Sequence, residues 1–236
     1  MALKYDLHLH SCLSPCADND MTPANIAGFA KLGGLDLIAL TDHNSAENLP
    51  AIARACRAYG VRLLPGIEMN TAEEIHLLCY LPTVEAALQL SAEIYERLPD
   101  IPCEEKIYGE QLRMDEDDHE LGRVRKLLLN ACSFSLEEAC ARCAALGGAA
   151  VPAHIERDSY SLLSVFGMLP AEPVFSAVEL RDESRRADLV ARGILPADTE
   201  ILCSSDAHTL EAIGAHPHLL AENSILAPLV RRLPEV

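Results

Sequence analysis

The stretch Leu3–Ser11, LKYDLHLHS, alternates apolar and polar side chains and ends beside two histidines. This alternation is typical of a half-buried β-strand. After it, Thr22 and Pro23 begin a helical pattern that Gly33 ends, and a second apolar run, LDLIALTDH at 35–43, follows directly. A strand, a helix and a strand in this order are typical of parallel pairing with a right-handed crossover. This stretch therefore predicts an α/β fold.

Strand and helix patterns alternate along the rest of the chain. The predicted strands are Leu3–His10, Leu35–Thr41, Val61–Glu68, Ile75–Tyr80, Ala149–His154, Ala177–Leu180 and Ile201–Ser204. Helices are predicted at 23–33, 48–60, 84–98, 121–131, 136–146, 184–191 and 224–233. Seven strands with helices between them in 236 residues predict an α/β barrel in a single domain, residues 1–236.

Two segments depart from this alternation. Only six residues, Met69–Glu74, separate the third and fourth strands, which is too few for a helical crossover and predicts a hairpin. The segment of about residues 99–133 is predicted as an irregular insertion, acidic around 115–118.

The charge and composition restrict the partners. Acidic residues outnumber basic ones by 36 to 19, giving a formal net charge of −17. Such a surface repels phosphate backbones, so the prediction is against long nucleic acid as a partner. With no Trp, four Phe and six Tyr, the chain also has few rings for a single-strand stacking surface. Neither a membrane-spanning apolar run nor a signal-peptide pattern is present, which predicts a cytoplasmic protein without a membrane partner.

The cysteines predict reduced thiols. Their number, nine, is odd, and the chain is larger than disulfide-stabilised secreted domains. Cys140 and Cys143 form a CxxC motif inside a predicted helix, and no second such motif exists. We interpret this pair as small buried apolar residues rather than as zinc ligands.

Titratable side chains gather where the predicted strands end. They are His8, His10, Asp42, His43, Glu68, His154, Asp206 and His208. The carboxyl ends of parallel barrel strands form one rim, so these side chains converge. His76 starts its strand, but the predicted hairpin brings it beside Glu68. Imidazole and carboxylate groups together suit zinc, manganese or iron, and one carboxylate can bridge two ions. The pattern therefore predicts a multinuclear metal site.

Five motifs carry a resemblance to a known family. They are DLHLHS at 6–11, ALTDHNS at 39–45, PGIEMNT at 65–71, PAHI at 152–155 and SSDAH at 204–208. In this order they resemble the PHP family of polymerase and histidinol phosphatase domain proteins. The resemblance implies a distorted, seven-stranded, TIM-like (β/α) barrel that hydrolyses phosphate esters with two or three divalent metal ions.

The motifs also imply a ligand set. The ligands of a first ion would be His8, His10, Glu68 and Asp206, and those of a second Glu68, His76 and His154. A third ion would be held by His43, His208 and a residue of the loop after the first strand, with Asp18 as the candidate and Asp20 as the alternative. The histidines that match no motif are interpreted as surface or structural residues: His119, His216 and His218.

The expected chemistry is phosphoester hydrolysis. Metal ions lower the pKa of bound water, so a hydroxide bridging two ions can attack phosphorus in line. Glu68 would bridge the ions, while Asp206 or His208 would stabilise or protonate the leaving oxygen. Arg157 and Arg181 are candidate phosphate clamps. The predicted substrates are phosphomonoesters of small molecules: a nucleotide, a sugar phosphate or a histidinol-phosphate-like compound.

Other functions stay open at this stage. A phosphodiesterase or exonuclease acting on short oligonucleotides would present the same phosphoryl group to the ions. Lys106, Gln111 and Arg113 are candidate contacts to the leaving group of either substrate. A non-catalytic metal-binding module is a further alternative. An amidohydrolase is disfavoured because none of the four lysines falls at a strand end, and a TatD-like nuclease by the acidic charge. Neither the native metal nor the oligomeric state follows from the sequence.

Overall fold

The computed structural model describes residues 3–215 and 218–235. Its strands are β1 Leu3–Leu9, β2 Leu37–Leu40, β3 Arg62–Asn70, β4 His76–Tyr80, β5 Leu112–Met114, β6 Glu120–Arg123, β7 Ala149–Pro152, β8 Ala177–Glu179, β9 Glu200–Leu202 and β10 His218–Leu220. Its α-helices are α1 Pro23–Leu32, α2 Leu49–Tyr59, α3 Val84–Arg97, α4 Glu105–Tyr108, α5 Leu136–Ala145, α6 Leu162–Phe166, α7 Arg185–Ala191 and α8 Ala227–Val230. The seven predicted strands all occur, within three residues of their predicted bounds.

The main sheet has the strand order β10-β1-β2-β3-β4-β7. Strands β1, β2 and β3 are parallel, whereas β4 runs antiparallel to both β3 and β7. The hairpin predicted between the third and fourth strands is therefore confirmed. Strands β8 and β9 form a separate parallel pair. The α/β class of the fold is confirmed.

The seven predicted strands do not form a closed barrel with regular pairing throughout the described residues. Between β7 and β8, Ile155 N–H donates to Glu179 O at 3.0 Å, and between the ends of β9 and β1, His10 N–H donates to Ala207 O at 3.0 Å. No regular ladder joins these strands in the described part of the chain. The reason is local: β8 and β9 have three residues each, and the chain turns away into the loops that carry His154 and Asp206.

The ends of several helices are set by capping residues that lie close to them in sequence. Ser135 and Glu138 cap α5 reciprocally, with N–H to side-chain oxygen distances of 3.2 and 3.0 Å. Helix α2 ends at Gly60, whose φ of +67° lies in the left-handed region that glycine adopts without strain. Such ends are predictable because the groups that make them lie within four residues of each other.

The helix predicted at 121–131 is wrong. Residues 120–123 form β6, which pairs with β5 in an antiparallel hairpin. The buried side chain of Gln111 then binds the chain that follows: its amide donates to Val124 O and Lys126 O and accepts from Leu128 N–H. These long-range bonds replace the hydrogen bonds of a helix. The segment expected to be irregular thus contains α4 and this hairpin.

Two hydrophobic clusters lie on opposite faces of the main sheet. One fills the inside of the curl with residues of the main sheet, of β8 and β9, and of α8, including Tyr5, Leu7 and Leu78. The other lies between the sheet and the helices and includes Leu9. The register between β1 and β2 shifts between Asp6 and Leu9. This bulge reverses the alternation, so His8 and His10 join the inner face, where a bulge commonly redirects a functional side chain.

No helix in residues 3–215 and 218–235 has both the length and the apolar character required to cross a bilayer.

Candidate metal centre

The Glu68 carboxylate lies at the centre of a buried group of imidazoles. Glu68 follows Leu64 and Gly66 on the inner face of β3 and is 1% exposed. Five histidine nitrogens lie within 3.3 Å of its two oxygens. They belong to His8, His76 and His154 at Oε1, at 3.3, 2.9 and 3.2 Å, and to His10 and His43 at Oε2, at 3.3 and 3.0 Å.

Asp206 and His208 complete this group from the loop after β9. Asp206 Oδ1 lies 3.3 Å from His8 Nε2 and 3.4 Å from His10 Nε2. The His208 ring stacks on that of His10 with 4.4 Å between centroids. Asp206 has a φ of +52°, a strained conformation for a residue other than glycine. Strain of this kind is concentrated at functional sites.

The ligand atoms form three overlapping triads. In each, all three atoms lie within 4.8 Å of one another: His8, His10 and Glu68; His43, Glu68 and His76; and His10, His43 and His208. The first triad agrees with the ligand set inferred for a first ion. The second joins His43, rather than His154, to Glu68 and His76. The third pairs His43 with His208 as inferred, but its third member is His10.

The unsatisfied polar atoms of this group fit metal ions. Glu68 Oε2 and the Nδ1 atoms of His43, His76 and His154 are buried without a hydrogen-bond partner. Buried polar atoms are nearly always paired, so such a concentration needs an explanation. Buried imidazole nitrogens and carboxylate oxygens that lack hydrogen-bond partners are donors suited to zinc, manganese or iron.

The electrostatics of the group favour cations. Burial alone would raise the pKa of Glu68, but the surrounding His76, His8 and His43 lower it well below its ordinary value. Burial would lower the pKa of His10, but the carboxylates of Asp206 and Glu68, 3.4 and 3.3 Å from its Nε2, raise it to about 9. Burial lowers the pKa of His208 to about 4, assisted by the charge of His10. The carboxylates therefore stay ionised and require positive charge beside them.

Glu179, at the end of β8, was missed by the sequence reasoning. It is buried, accepts the Nδ1–H of His8 at 2.9 Å and accepts the backbone N–H of His154 at 3.1 Å. A carboxylate on the far nitrogen of a metal-binding histidine sets its tautomer and orientation. The available signal was an acidic residue inside the apolar run SAVEL, at a strand end.

Asp42 holds the loop after β1. It accepts hydrogen bonds of 2.7 Å from Ser11 N–H, Ser11 Oγ and Ser14 Oγ. Ser14 Oγ in turn lies 3.1 Å from His10 Nδ1 and accepts the N–H of His43 at 3.1 Å. Asp42 thus positions two imidazoles through Ser14.

We expect Glu179→Gln to weaken metal binding by about 10- to 100-fold, because a neutral amide orients His8 less firmly. Metal dissociation constants of the two proteins, measured by competition with a chromophoric chelator, check this. Glu96→Gln, at an exposed position of α3, is the matched control. Equal affinities for Glu179→Gln and wild type would contradict a positioning role for Glu179.

A cavity of about 390 Å³ leads to these side chains. It is lined by Cys16, His43, Glu68, His76, Leu129, Arg157, Tyr160, Arg181, Asp206 and His208. Arg157 reaches Asp206 Oδ2 with Nη1 at 3.3 Å. The structure therefore brings Arg157 and Arg181 to the mouth of the site, where a substrate would enter.

Other candidates lie apart from the group. Asp18 and Asp20 are exposed and belong to none of the described triads, although Asp18 N–H donates to His208 O at 2.9 Å. Neither Lys106, Gln111 nor Arg113 lines the cavity; Gln111 instead holds backbone, as described above. Leu129, which belongs to the same segment 99–133, does line the cavity.

Among the described residues, the histidines that match no motif, and the cysteines, lie outside the three overlapping triads. His119 is exposed and bonds Asp115, whereas His218 lies in β10. His216 lies outside the described residues. A fourth triad of possible ligands joins His218 to Glu183 and Cys203, of which Glu183 is exposed. All nine cysteines are free, with Cys143 buried and Cys140 half-buried.

A family model described as the PHP domain matches residues 6–131, more than half of the chain. This chain belongs to the PHP domain family. The family prediction made from the motifs is confirmed. The matched span contains His8, His10, His43, Glu68 and His76, the residues that form two of the three triads.

Individual relatives of this PHP domain act on nucleic acids. A 5′-3′ exoribonuclease of Haemophilus influenzae is 32% identical over 81 residues, 33% of this chain and 28% of that protein. The lesion-specific endonuclease PfuEndoQ of Pyrococcus furiosus superposes with a TM-score of 0.68 at 19% identity, covering 98% of this chain and 55% of that one. An endonuclease Q complexed with a 27-mer duplex superposes with a TM-score of 0.58 at 22% sequence identity, covering 89% of this chain and 50% of that one. This chain thus spans about half or less of each of these three proteins.

The expectation against long nucleic acid is wrong. A protein of the same fold has been solved with a 27-mer duplex substrate whose abasic lesion lies at the active site. Net charge is summed over the whole surface, whereas a substrate meets only the local field at the cavity. In this PHP domain that rim carries Arg157 and Arg181, so a formal charge of −17 does not exclude nucleic acid.

Proposed function

We propose that this protein is a metal-dependent phosphoesterase that hydrolyses phosphomonoesters of small molecules such as nucleotides or sugar phosphates. The proposal rests on one observation: Glu68, surrounded by five imidazoles, lies in a 390 Å³ cavity that two arginines line. A cavity of this size suits a small ligand. The cytoplasmic location and the extent of the domain, residues 1–236, stay predictions.

The donor atoms described above would hold two or three divalent ions, of manganese, iron or zinc. His8, His10, Glu68 and Asp206 would hold the first, Glu68, His76 and His154 the second, and His43 and His208 a third, with Asp18 as its outlying candidate. Bound ions would acidify water and neutralise charge on the phosphoryl oxygens.

The chain's own residues would bind and orient the ester. Arg157 and Arg181 would hold the phosphoryl oxygens through their planar donor groups. His208, 30% exposed, is the most accessible imidazole of the group. Because its pKa is lowered to about 4, the ring is neutral near pH 7 and would act on the leaving oxygen as a ligand of a third ion, which would stabilise the charge there, rather than as a proton donor. Asp206 would orient this ring, since His208 Nδ1 lies 2.8 Å from Asp206 O.

The test measures phosphate release from monoesters, and p-nitrophenol release from the diester bis(p-nitrophenyl) phosphate, by protein loaded separately with manganese, iron and zinc. We expect hydrolysis of nucleoside monophosphates or sugar phosphates at least ~10-fold faster than that of the diester bis(p-nitrophenyl) phosphate. Release of p-nitrophenol alone would favour a phosphodiesterase, and release of neither product with any of the three metals would support a non-catalytic metal-binding module.

A second candidate is an exonuclease that acts on oligonucleotide ends. A groove of about 780 Å³ adjoins the cavity and shares Arg157 and Arg181 with it, and Arg185 extends the row of arginines. Three acidic residues also line the groove: Glu156, Asp158 and Asp182. Of these, Glu156 Oε1 accepts the backbone N–H groups of Arg181 and Asp182. Such a row suits a phosphodiester backbone that continues beyond the hydrolysed group.

We expect Arg185→Ala to lower kcat/KM for a 5′-phosphorylated oligonucleotide by roughly fivefold, the effect of about 1 kcal/mol. The loss should be larger at low ionic strength, because exposed charges are screened by salt. Arg57→Ala removes the same charge from the end of α2, away from the groove, and is the control. Equal values for both variants would exclude a backbone contact at Arg185.

A further inference from the structure

Tyr160 is an unusual residue for the mouth of this cavity. It is 43% exposed and is the one Phe or Tyr ring among the residues that line the cavity. Its ring stacks on the imidazole of His76 with 4.9 Å between centroids and an interplanar angle of 26°. One face of the tyrosine is therefore covered, while the exposed part of the ring borders the cavity.

The backbone of Tyr160 has a strained conformation that its neighbours maintain. Its φ is +53°, in the left-handed region that a bulky side chain rarely adopts. Tyr160 O accepts the N–H of His76 at 3.0 Å, and the next residue, Ser161, donates its hydroxyl to Arg157 O at 2.6 Å. Ser161 also begins α6 through a capping box with Ser164. Strain maintained by several contacts is a feature of ligand-binding positions.

We propose that Tyr160 is a stacking platform for a nucleobase, and that the substrate of the site is a nucleotide or the end of an oligonucleotide. A planar ring presented beside a phosphate site matches the two parts of a nucleotide. Leu129 on the same cavity adds an apolar surface for the base. The proposal rests on the proposed function and names its substrate class: a sugar phosphate has no π-face to use this ring.

The test compares AMP with ribose 5-phosphate, which has the same phosphoryl group and sugar but no base. We expect Tyr160→Ala to lower the ratio of their kcat/KM values by on the order of 10-fold, mainly through KM for AMP. Tyr160→Phe keeps the π-face and should keep the ratio. Tyr59→Ala, which removes a similarly exposed tyrosine from α2, is the control. An unchanged ratio in Tyr160→Ala, or equal losses for both substrates, would overturn the proposal.

Equilibrium binding separates this proposal from the proposed function. Calorimetry of the metal-loaded protein with AMP and with ribose 5-phosphate requires no turnover. Binding of AMP that depends on Tyr160, without hydrolysis of either compound, would support the platform and refute the phosphoesterase. Hydrolysis with equal affinity for AMP in wild type and Tyr160→Ala would refute the platform alone, and absence of both binding and hydrolysis would refute both.

Discussion

Glu68→Ala is expected to lower turnover by about three orders of magnitude, equal to ~4 kcal/mol of transition-state stabilisation, and to remove most of the bound metal. The reason is its position: Glu68 reaches both His76 and His43, at 2.9 and 3.0 Å, and takes part in two of the three triads. No other described carboxylate is shared by two triads. Steady-state rates and elemental analysis of the same preparation check both parts.

Two controls isolate this effect. Glu96→Ala removes an exposed carboxylate of the same charge, and His119→Ala removes an exposed imidazole outside the centre. Both should keep wild-type rates and metal content. A Glu68→Ala protein that is fully active would refute the bridging assignment, whereas one that keeps its metal but loses its activity would restrict Glu68 to a catalytic role.

Removal of the metal by a chelator is expected to lower Tm by roughly 8–16 °C. A ligand present at a thousand times its Kd stabilises the folded state by about 4 kcal/mol, and each kcal/mol corresponds to ~2–4 °C in a chain of this size. Without ions, the imidazoles and carboxylates of the centre are left buried with unpaired atoms. Thermal unfolding with and without chelator, followed by addition of zinc, manganese or iron, measures the loss and its recovery.

The Glu68→Ala protein again provides the comparison. It should respond little to the chelator, because it holds little metal, whereas His119→Ala should lose as much stability as wild type. An unchanged Tm in the wild-type protein, with metal removal verified by elemental analysis, would contradict a centre whose ions contribute to folding.

Much of the site could be predicted because its residues follow recognisable strands. His8 and His10 end an alternating run, Glu68 ends another, and Asp206 follows a third. Parallel strands that curl around one core bring such ends to one rim whatever the details of closure. The partners within the rim were less predictable: His43, expected with a third ion, lies within 4.8 Å of both Glu68 and His76.

The missed residues share a cause. Glu179 binds the ring of His8 across 171 residues, and Gln111 holds Leu128 rather than a substrate. Tyr160 owes its place to the backbone bond with His76 and to a positive φ. None of these contacts has a periodic or short-range signal, because each depends on how distant segments pack.

The amino-acid sequence by itself determined the α/β class, the seven strands, the ends of the capped helices and most of the titratable side chains that gather around Glu68. These follow from periodicity and from hydrogen bonds between near neighbours. The tertiary structure alone decided that only isolated hydrogen bonds, and no regular ladder, join β7 to β8 and the end of β9 to β1 in the described residues. It also decided which imidazoles share Glu68, which carboxylate contacts His8, and that three arginines line the cavity and its adjoining groove although the chain is acidic. Distances between residues far apart in sequence are set by tertiary packing, which has no periodic or short-range pattern in the sequence from which it could be predicted.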